Sequence, residues 1–273
     1  MHEKPDVVED QILNFNRYFS DSSIVLHLHT SFQWNGADPE SSIKRWSKFD
    51  NVIVNPKSVR TEWGNLFRAH HENFKYAASV KKFDYFCLHS SSDLFVRKGA
   101  ASIIEGYDCG VSLVAPQPTF GFDLIAEGDP VFKAICRDCG AKELWTSQVE
   151  GTYYRAEVFQ ELINRIERHY HFDETLGYVH EEIYYPTIAA SLDLNRGTPY
   201  LMREDRTHLP KFDKSLVDQI ANGELEDHHM KRWKLGREVD SLVWRGSEIC
   251  ALRPVPREVN DPLRITIRER AAA

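Results

Sequence analysis

Residues 180–187, HEEIYYPT, set two adjacent carboxylates between a histidine and an aromatic pair. A glutamate in such surroundings can carry a shifted pKa and act as a general base. On a helix Glu181 and Glu182 point about 100° apart, so one faces a given pocket. The other is left to solvent near the helix N-terminus, where negative charge is favoured. A structural role for both is the competing reading. A second group is SSSD at 90–93, where the apolar run FDYFCLH ends in three serines and Asp93. Asp93 is either a helix N-cap or part of a ligand floor. In TSQVEGTYYR, residues 146–155, Gln148 and Glu150 stand beside Tyr153 and Tyr154. Amide and carboxylate groups next to aromatic faces suit a sugar; a helix-entry loop with a tyrosine stapled to the core is the alternative. Late in the chain come Arg245, Arg253, Arg257 and Arg264. Guanidinium groups make multi-donor contacts to phosphate oxygens, so two of them folded back could hold a diphosphate. A solvated basic tail is the other reading.

The elements that must position these groups follow from apolar spacing. SSIVLHLHTSF alternates Ile24, Leu26 and Leu28 with Val25, His27 and His29, and NVIVNP is a second short run, closed by Pro56; both read as strands. GNLFRAHHENFKYAASV has helical spacing, and FDYFCLHSS returns to strand. GVSLVAPQP is a further strand entering a proline-broken loop, and GSEICALRPV is the last strand expected. RAEVFQELINRIERHYHF is an amphipathic helix turned inward through Val158, Leu162, Ile163 and Ile166. Pro186 sets the start of the helix in HEEIYYPTIAASL at or near itself. The charged stretch 203–238 reads as a surface helix. Alternating helices and buried strands predict an α/β fold with a mostly parallel sheet, in which ligands bind beyond the carboxyl ends of strands. One domain over residues 1–270 is expected, with the alanines 271–273 set apart as a tail.

Composition narrows the classes. Apolar residues make up 42% of 273, enough for a sizeable core, and the net charge of −7 argues against a general polyanion binder, so no nucleic acid is expected. No apolar run of membrane-spanning length occurs, and the acidic, polar start MHEKPDVVED is unlike a signal peptide. A cytoplasmic protein is expected. Cys136 and Cys139 form a CxxC that no second pair completes, so reduced thiols are expected. No Gly-rich phosphate loop is present.

Taken in order, Trp63-Gly64, SSSD, TSQVEGTYYR, EEIYYPT and the arginines after 244 resemble the metal-independent GT-A glycosyltransferases of the core-two and I-branching N-acetylglucosaminyltransferase type. That family has a Trp-Gly pair before a helix, a strand ending in Ser-Gly-x-Asp, a Gly-Ser-Gln-Trp segment, and an Asp-Glu helix with a Thr five residues beyond the Glu. Here Thr146 stands for the Gly and Val149 for the Trp of the third motif. The resemblance implies a GT-A-like, Rossmann-related mixed and mostly parallel sheet flanked by helices. It makes Glu182 the catalytic base, with Thr187 five residues on.

By the same resemblance, His27, His29, Thr30, Trp63 and Asp93 lie on the donor side, with Arg253, Arg257 or Arg264 on the nucleotide diphosphate. Gln148, Glu150, Tyr153 and Glu181 lie towards the acceptor. It implies an inverting transfer of a sugar, GlcNAc from UDP-GlcNAc foremost, to a glycan or lipid-linked glycan of a bacterial cell surface such as O-antigen or capsule. No cofactor and no metal are expected, the nucleotide sugar being a substrate. The resemblance leaves open peripheral association with other polysaccharide-assembly enzymes at the inner membrane. A non-catalytic carbohydrate-binding or scaffold domain of such a complex is the alternative.

Overall fold

The computed structural model describes residues 4–20, 22–28, 36–61, 66–115, 126–170, 178–203, 212–234 and 236–272. The chain opens with α1 (Pro5–Tyr18), where Pro5 occupies the first turn and so leaves no interior amide unpaired. Strand β1 (Ile24–Leu26) pairs in parallel with β2 (Val52–Val54) through the crossover helix α2 (Pro39–Trp46), which Asp38 caps by accepting from Ser41 N. Helix α3 (Phe67–Val80) leads to β3 (Tyr85–Cys87) and β4 (Leu94–Phe95), then α4 (Ala100–Ile104) and β5 (Cys109–Gly110). Helix α5 (Pro130–Cys139) is capped by Asp129 and stopped by Gly140 at φ 69°. Next come β6 (Tyr153–Arg155), α6 (Ala156–Glu167), α7 (Glu181–Ser191), β7 (Arg196–Gly197) and β8 (Leu201–Arg203). The chain closes with α8 (Lys214–Asn222), the hairpin β9 (His228–Lys234) and β10 (Arg237–Trp244), β11 (Ala251–Arg253) and α9 (Pro262–Ala272).

The α/β class stands, but the sheet is neither large nor mostly parallel. Among the described residues the strands form two two-stranded sheets, a three-stranded sheet β4-β11-β8 and a four-stranded sheet β3-β6-β5-β7. Strand β6 runs antiparallel to both of its neighbours and β4 antiparallel to β11, whereas β1-β2, β5-β7 and β8-β11 are parallel. The main apolar core joins α3, α5, α6 and α7 to the four-stranded sheet through Phe67, Phe74, Tyr154, Phe159 and Ile183. A second cluster covers the three-stranded sheet with Val217 and Ile220 of α8 and Ile267 of α9.

Three local expectations change. Helix α7 starts at Glu181 and contains Pro186 rather than beginning there. The described residues of the charged stretch 203–238 form the end of a strand, the short helix α8 and most of a hairpin, with Gly236 at φ 76° in its turn. Among the described residues of GVSLVAPQP the strand pairing is that of β5 and a single bridge from Val114 to Thr146. The N-terminal helix and α9 are additional elements, and α9 carries on through the first two alanines of the tail. Among the described residues no helix is long and apolar enough to cross a membrane, and all five cysteines are free.

Candidate functional site

The turn 90–93 is a hydrogen-bonded knot at the end of β3. Asp93 is fully buried. Its carboxylate accepts from Ser90 N (2.8 Å) and Ser90 Oγ (2.8 Å), lies 3.1 Å from His89 Nδ1, and pairs with Arg253 Nε at 3.6 Å. Outer elements fix the backbone of the turn. Gln11 of α1 donates to the carbonyls of Ser90 and Asp93, and Val255 N donates to Ser92 O. Asn14 meets both Phe95 N and Phe95 O, as a neighbouring strand would. Asp93 is therefore occupied in holding the turn and aiming Arg253. Ser90 and Ser91, not the carboxylate, line the adjoining cavity.

That cavity, about 920 Å³, runs along β1 and β3 to the first turn of α7 and the ends of β8 and β11. Arg203 and Arg253 close the parallel strands β8 and β11 in the same register, so both side chains leave the same face of the sheet. Both line the cavity, as does Arg257 just beyond β11. Arg253 Nη1 donates to Glu150 Oε2 at 2.5 Å. Arg264, grouped by sequence with the diphosphate cations, is elsewhere. It is fully buried, pairs with Asp10 at 2.5 Å and donates to Pro256 O and Ser91 O. It ties α9 to α1 and to the turn, and it has no exposed face for an anion.

The same cavity is lined by three carboxylates, Glu150, Glu181 and Glu182. The helical angle suggested that only one of Glu181 and Glu182 faces a pocket, whereas both line the cavity and neither is left to solvent. Glu181 is the more enclosed of the two. It is 3% exposed and accepts weakly from Leu66 N (3.4 Å), because the cavity wraps the first turn of α7 and receives both glutamates. Burial pushes Glu181 up to about 8, with the Glu182 and Glu150 charges adding to the effect. Glu182 is half-buried; burial raises it too, while Arg203 and Arg253 pull it back. Burial carries Glu150 to about 7 against the pull of Arg253, with Asp93 and Glu182 reinforcing the rise.

The proline inside α7 has a specific consequence here. Pro186 lacks the N–H that would meet the carbonyl four residues back, that of Glu182. That carbonyl accepts from Ser147 N at 2.9 Å instead. Thr187 adds a second clamp, accepting from Trp145 N (3.0 Å) and donating to Trp145 O (3.1 Å). The loop before Glu150 is thus docked on the helix bearing Glu182. Beyond it, Gly151 has φ 80°, and a Cβ there would lie 2.2 Å from Leu201 Cβ, so the turn that presents Glu150 requires glycine.

His27 is buried, lines the cavity and lies with Nε2 3.2 Å from Val59 O. His29, Thr30 and Trp63 lie outside the described residues. Gln148 is not among the residues lining the cavity, and its amide nitrogen is enclosed without a hydrogen-bond partner among the described residues. Tyr153 is fully buried, stacked on Tyr200 with ring centres 5.8 Å apart and packed over Gly110 and Gly197. It is core, not a stacking surface for a sugar.

Sequence reasoning missed Arg203, His70 and His89, all on the cavity wall. The run YLMR, an apolar strand ending in a cation, is the signal that marks Arg203. His70 is driven down to about 3 by burial, with His71 and His27 adding to it, and is therefore neutral at ordinary pH. Among the described residues no three His, Cys, Asp or Glu side chains are grouped to hold a metal ion. No protein-family model and no curated protein sequence matches the chain.

Proposed function

We propose that the protein is an inverting, nucleotide-sugar-dependent glycosyltransferase in which Glu182 is the general base. The observation that carries this reading is the gathering of opposite charges in one cavity. It is lined both by the carboxylates at the start of α7 and by the arginines at the ends of β8 and β11. An inverting transfer needs a base to take the acceptor hydroxyl proton and, opposite it, positive charge to stabilise the departing diphosphate. Glu182 is the best base of the three glutamates. It is raised by burial yet lies beside Arg203 and Arg253, which favour its ionised form at the start of the reaction. Glu181 at about 8 is protonated near neutrality and serves as a hydrogen-bond donor.

In this reading Arg203, Arg253 and Arg257 neutralise the diphosphate without a metal, and His27 lies on the nucleoside side. The small sheets are parts of a GT-A-like, Rossmann-related arrangement. UDP-GlcNAc as donor and a bacterial surface glycan as acceptor rest on the resemblance of the motifs alone.

The test is a thermal-shift screen with UDP, GDP, CMP and dTDP compounds, followed by turnover with the sugar of whichever nucleotide shifts. Glu182→Gln should keep nucleotide affinity and lose about 10²–10⁴-fold in kcat, and the wild type should keep its activity in EDTA. Full activity in Glu182→Gln removes the base assignment, and collapse in EDTA with recovery in manganese removes the metal-free one. Glycan binding with no response to any nucleotide would favour a carbohydrate-binding scaffold instead.

A further inference from the structure

Arg253 stands between two carboxylates. Its Nη1 meets Glu150 at 2.5 Å and its Nε faces Asp93 at 3.6 Å. The two carboxylates are not equivalent. Asp93 is sealed beneath the turn and accepts from Ser90 N and Ser90 Oγ, so it cannot leave. Glu150 is on the cavity wall, and Arg253 is the cation that holds it. An anion arriving at Arg253 competes with Glu150 and leaves Asp93 in place.

We infer that a diphosphate bound at Arg253 displaces the Glu150 carboxylate, which then takes up a proton and turns to the cavity as a hydrogen-bonding group for the second substrate. The inference rests on reading the arginines as the diphosphate site. The groups facing Glu150 set the direction of the proton movement. They are Arg253 on β11, Asp93 before β4, and Glu182 and Glu181 on α7, with Arg203 on β8 acting on Glu182. Once Arg253 is taken by phosphate oxygens, the groups left around Glu150 are carboxylates, and the phosphate adds further negative charge. An ionised Glu150 is then disfavoured by burial and by like charge together. Its pKa, about 7 with Arg253 still in place, rises on anion binding. Donor binding thus prepares the acceptor side, and the two sites are coupled in the order donor first.

Titration calorimetry with inorganic pyrophosphate on the full chain tests this without a nucleotide sugar. Pyrophosphate held by cations can only release protons, so any net uptake comes from the protein. At pH 8, comparison of Tris with HEPES should show net proton uptake on binding. The ratio of Glu150→Gln affinity to wild-type affinity should rise by about tenfold from pH 6 to pH 8, as one linked proton on a group near 7 requires, the ionisation of pyrophosphate being common to both. Glu150→Gln should lose the uptake and bind more tightly than the wild type at pH 8. Absence of pyrophosphate binding, absence of net uptake by the wild type at pH 8, or weaker binding by Glu150→Gln than by wild type at pH 8 would each overturn the proposal. Glu181→Gln, which removes the other carboxyl that titrates near pH 8, should keep the uptake, so the wild type and Glu181→Gln together decide the matter even if Glu150→Gln does not fold. If no nucleotide sugar is turned over while pyrophosphate still drives uptake, the transferase reading falls and the coupling stands. Turnover without uptake gives the reverse.

Discussion

At the scale of single residues, the charge on Glu182 is set by its neighbours more than by its own chemistry. Burial raises its pKa, and Arg203 is the first cation to oppose that rise, ahead of Arg253. Replacing Arg203 by Met keeps much of the stem and removes the charge. The acidic limb of the kcat/KM profile, where the base loses its proton, should therefore move to higher pH in Arg203→Met. Diphosphate affinity should fall in the same variant. An unmoved limb with weakened affinity would assign Arg203 to the phosphate alone. Glu150, Glu181, Glu182 and Arg253 were legible as chemistry in the sequence because unusual residue types sit in short, ordered motifs. The role of Asp93 was not. Whether a carboxylate faces a ligand or its own turn depends on Ser90 N and Arg253, and the latter is 160 positions away.

At the scale of elements, the long amphipathic and apolar segments were readable and the polar ones were not. Helix α6 and strands β1, β2 and β3 carry their burial in their spacing. Helix α1 buries Asp10, Gln11 and Asn14 alongside Val8 and Ile12. Its apolar stripe is broken by the groups that bond to the turn and to Phe95. The hairpin β9-β10 carries charges on both strands and turns in two residues, so neither helical nor strand periodicity dominates it. Pro186 suggested a helix start by the usual rule, yet the helix tolerates it because Ser147 N takes over the freed Glu182 carbonyl. Thr187, one residue on, is the testable part of that junction. Thr187→Val keeps the volume and leaves Trp145 N and O without their side-chain partner. A loss of about 1–3 kcal/mol is expected, with Tm lower by about 2–4 °C per kcal/mol for a chain of this size. Because Glu150 hangs from the same loop, turnover should drop as well. An unchanged Tm would mean that the Ser147 bond alone docks the loop.

At the scale of the whole molecule, the buried titrating groups oppose one another, and the pH dependence of stability follows from their signs. Glu150 and Glu181 rise from an ordinary 4.5 to about 7 and about 8, so between those values the folded chain holds protons that the unfolded chain has released. Stability contributed by these protons is present below 4.5 and lost as pH rises through 7 and 8. His70 moves the other way, from 6.5 to about 3, and His71 is lowered as well. Below 6.5 the unfolded chain binds protons that these two rings refuse, so stability falls as pH drops. From 4.5 to 6.5 the two sets offset each other. Above 6.5 the histidines are neutral in both states and the carboxyls act alone. Below 4.5 the histidines act alone, joined by Glu167, which His71 and Lys75 hold down at about 2. Thermal melts should therefore show a plateau from about pH 4.5 to 6.5, a decline towards pH 8, and another decline below pH 4. Glu181→Gln removes the carboxyl raised to about 8, against about 7 for Glu150, and it should flatten the alkaline decline while leaving the acid one in place. A wild-type Tm that climbs from pH 6.5 to pH 8 would show that Glu150 and Glu181 are ionised in the folded protein. The cavity would then present a fully charged acidic wall to its ligand at neutral pH, which a diphosphate would meet as repulsion.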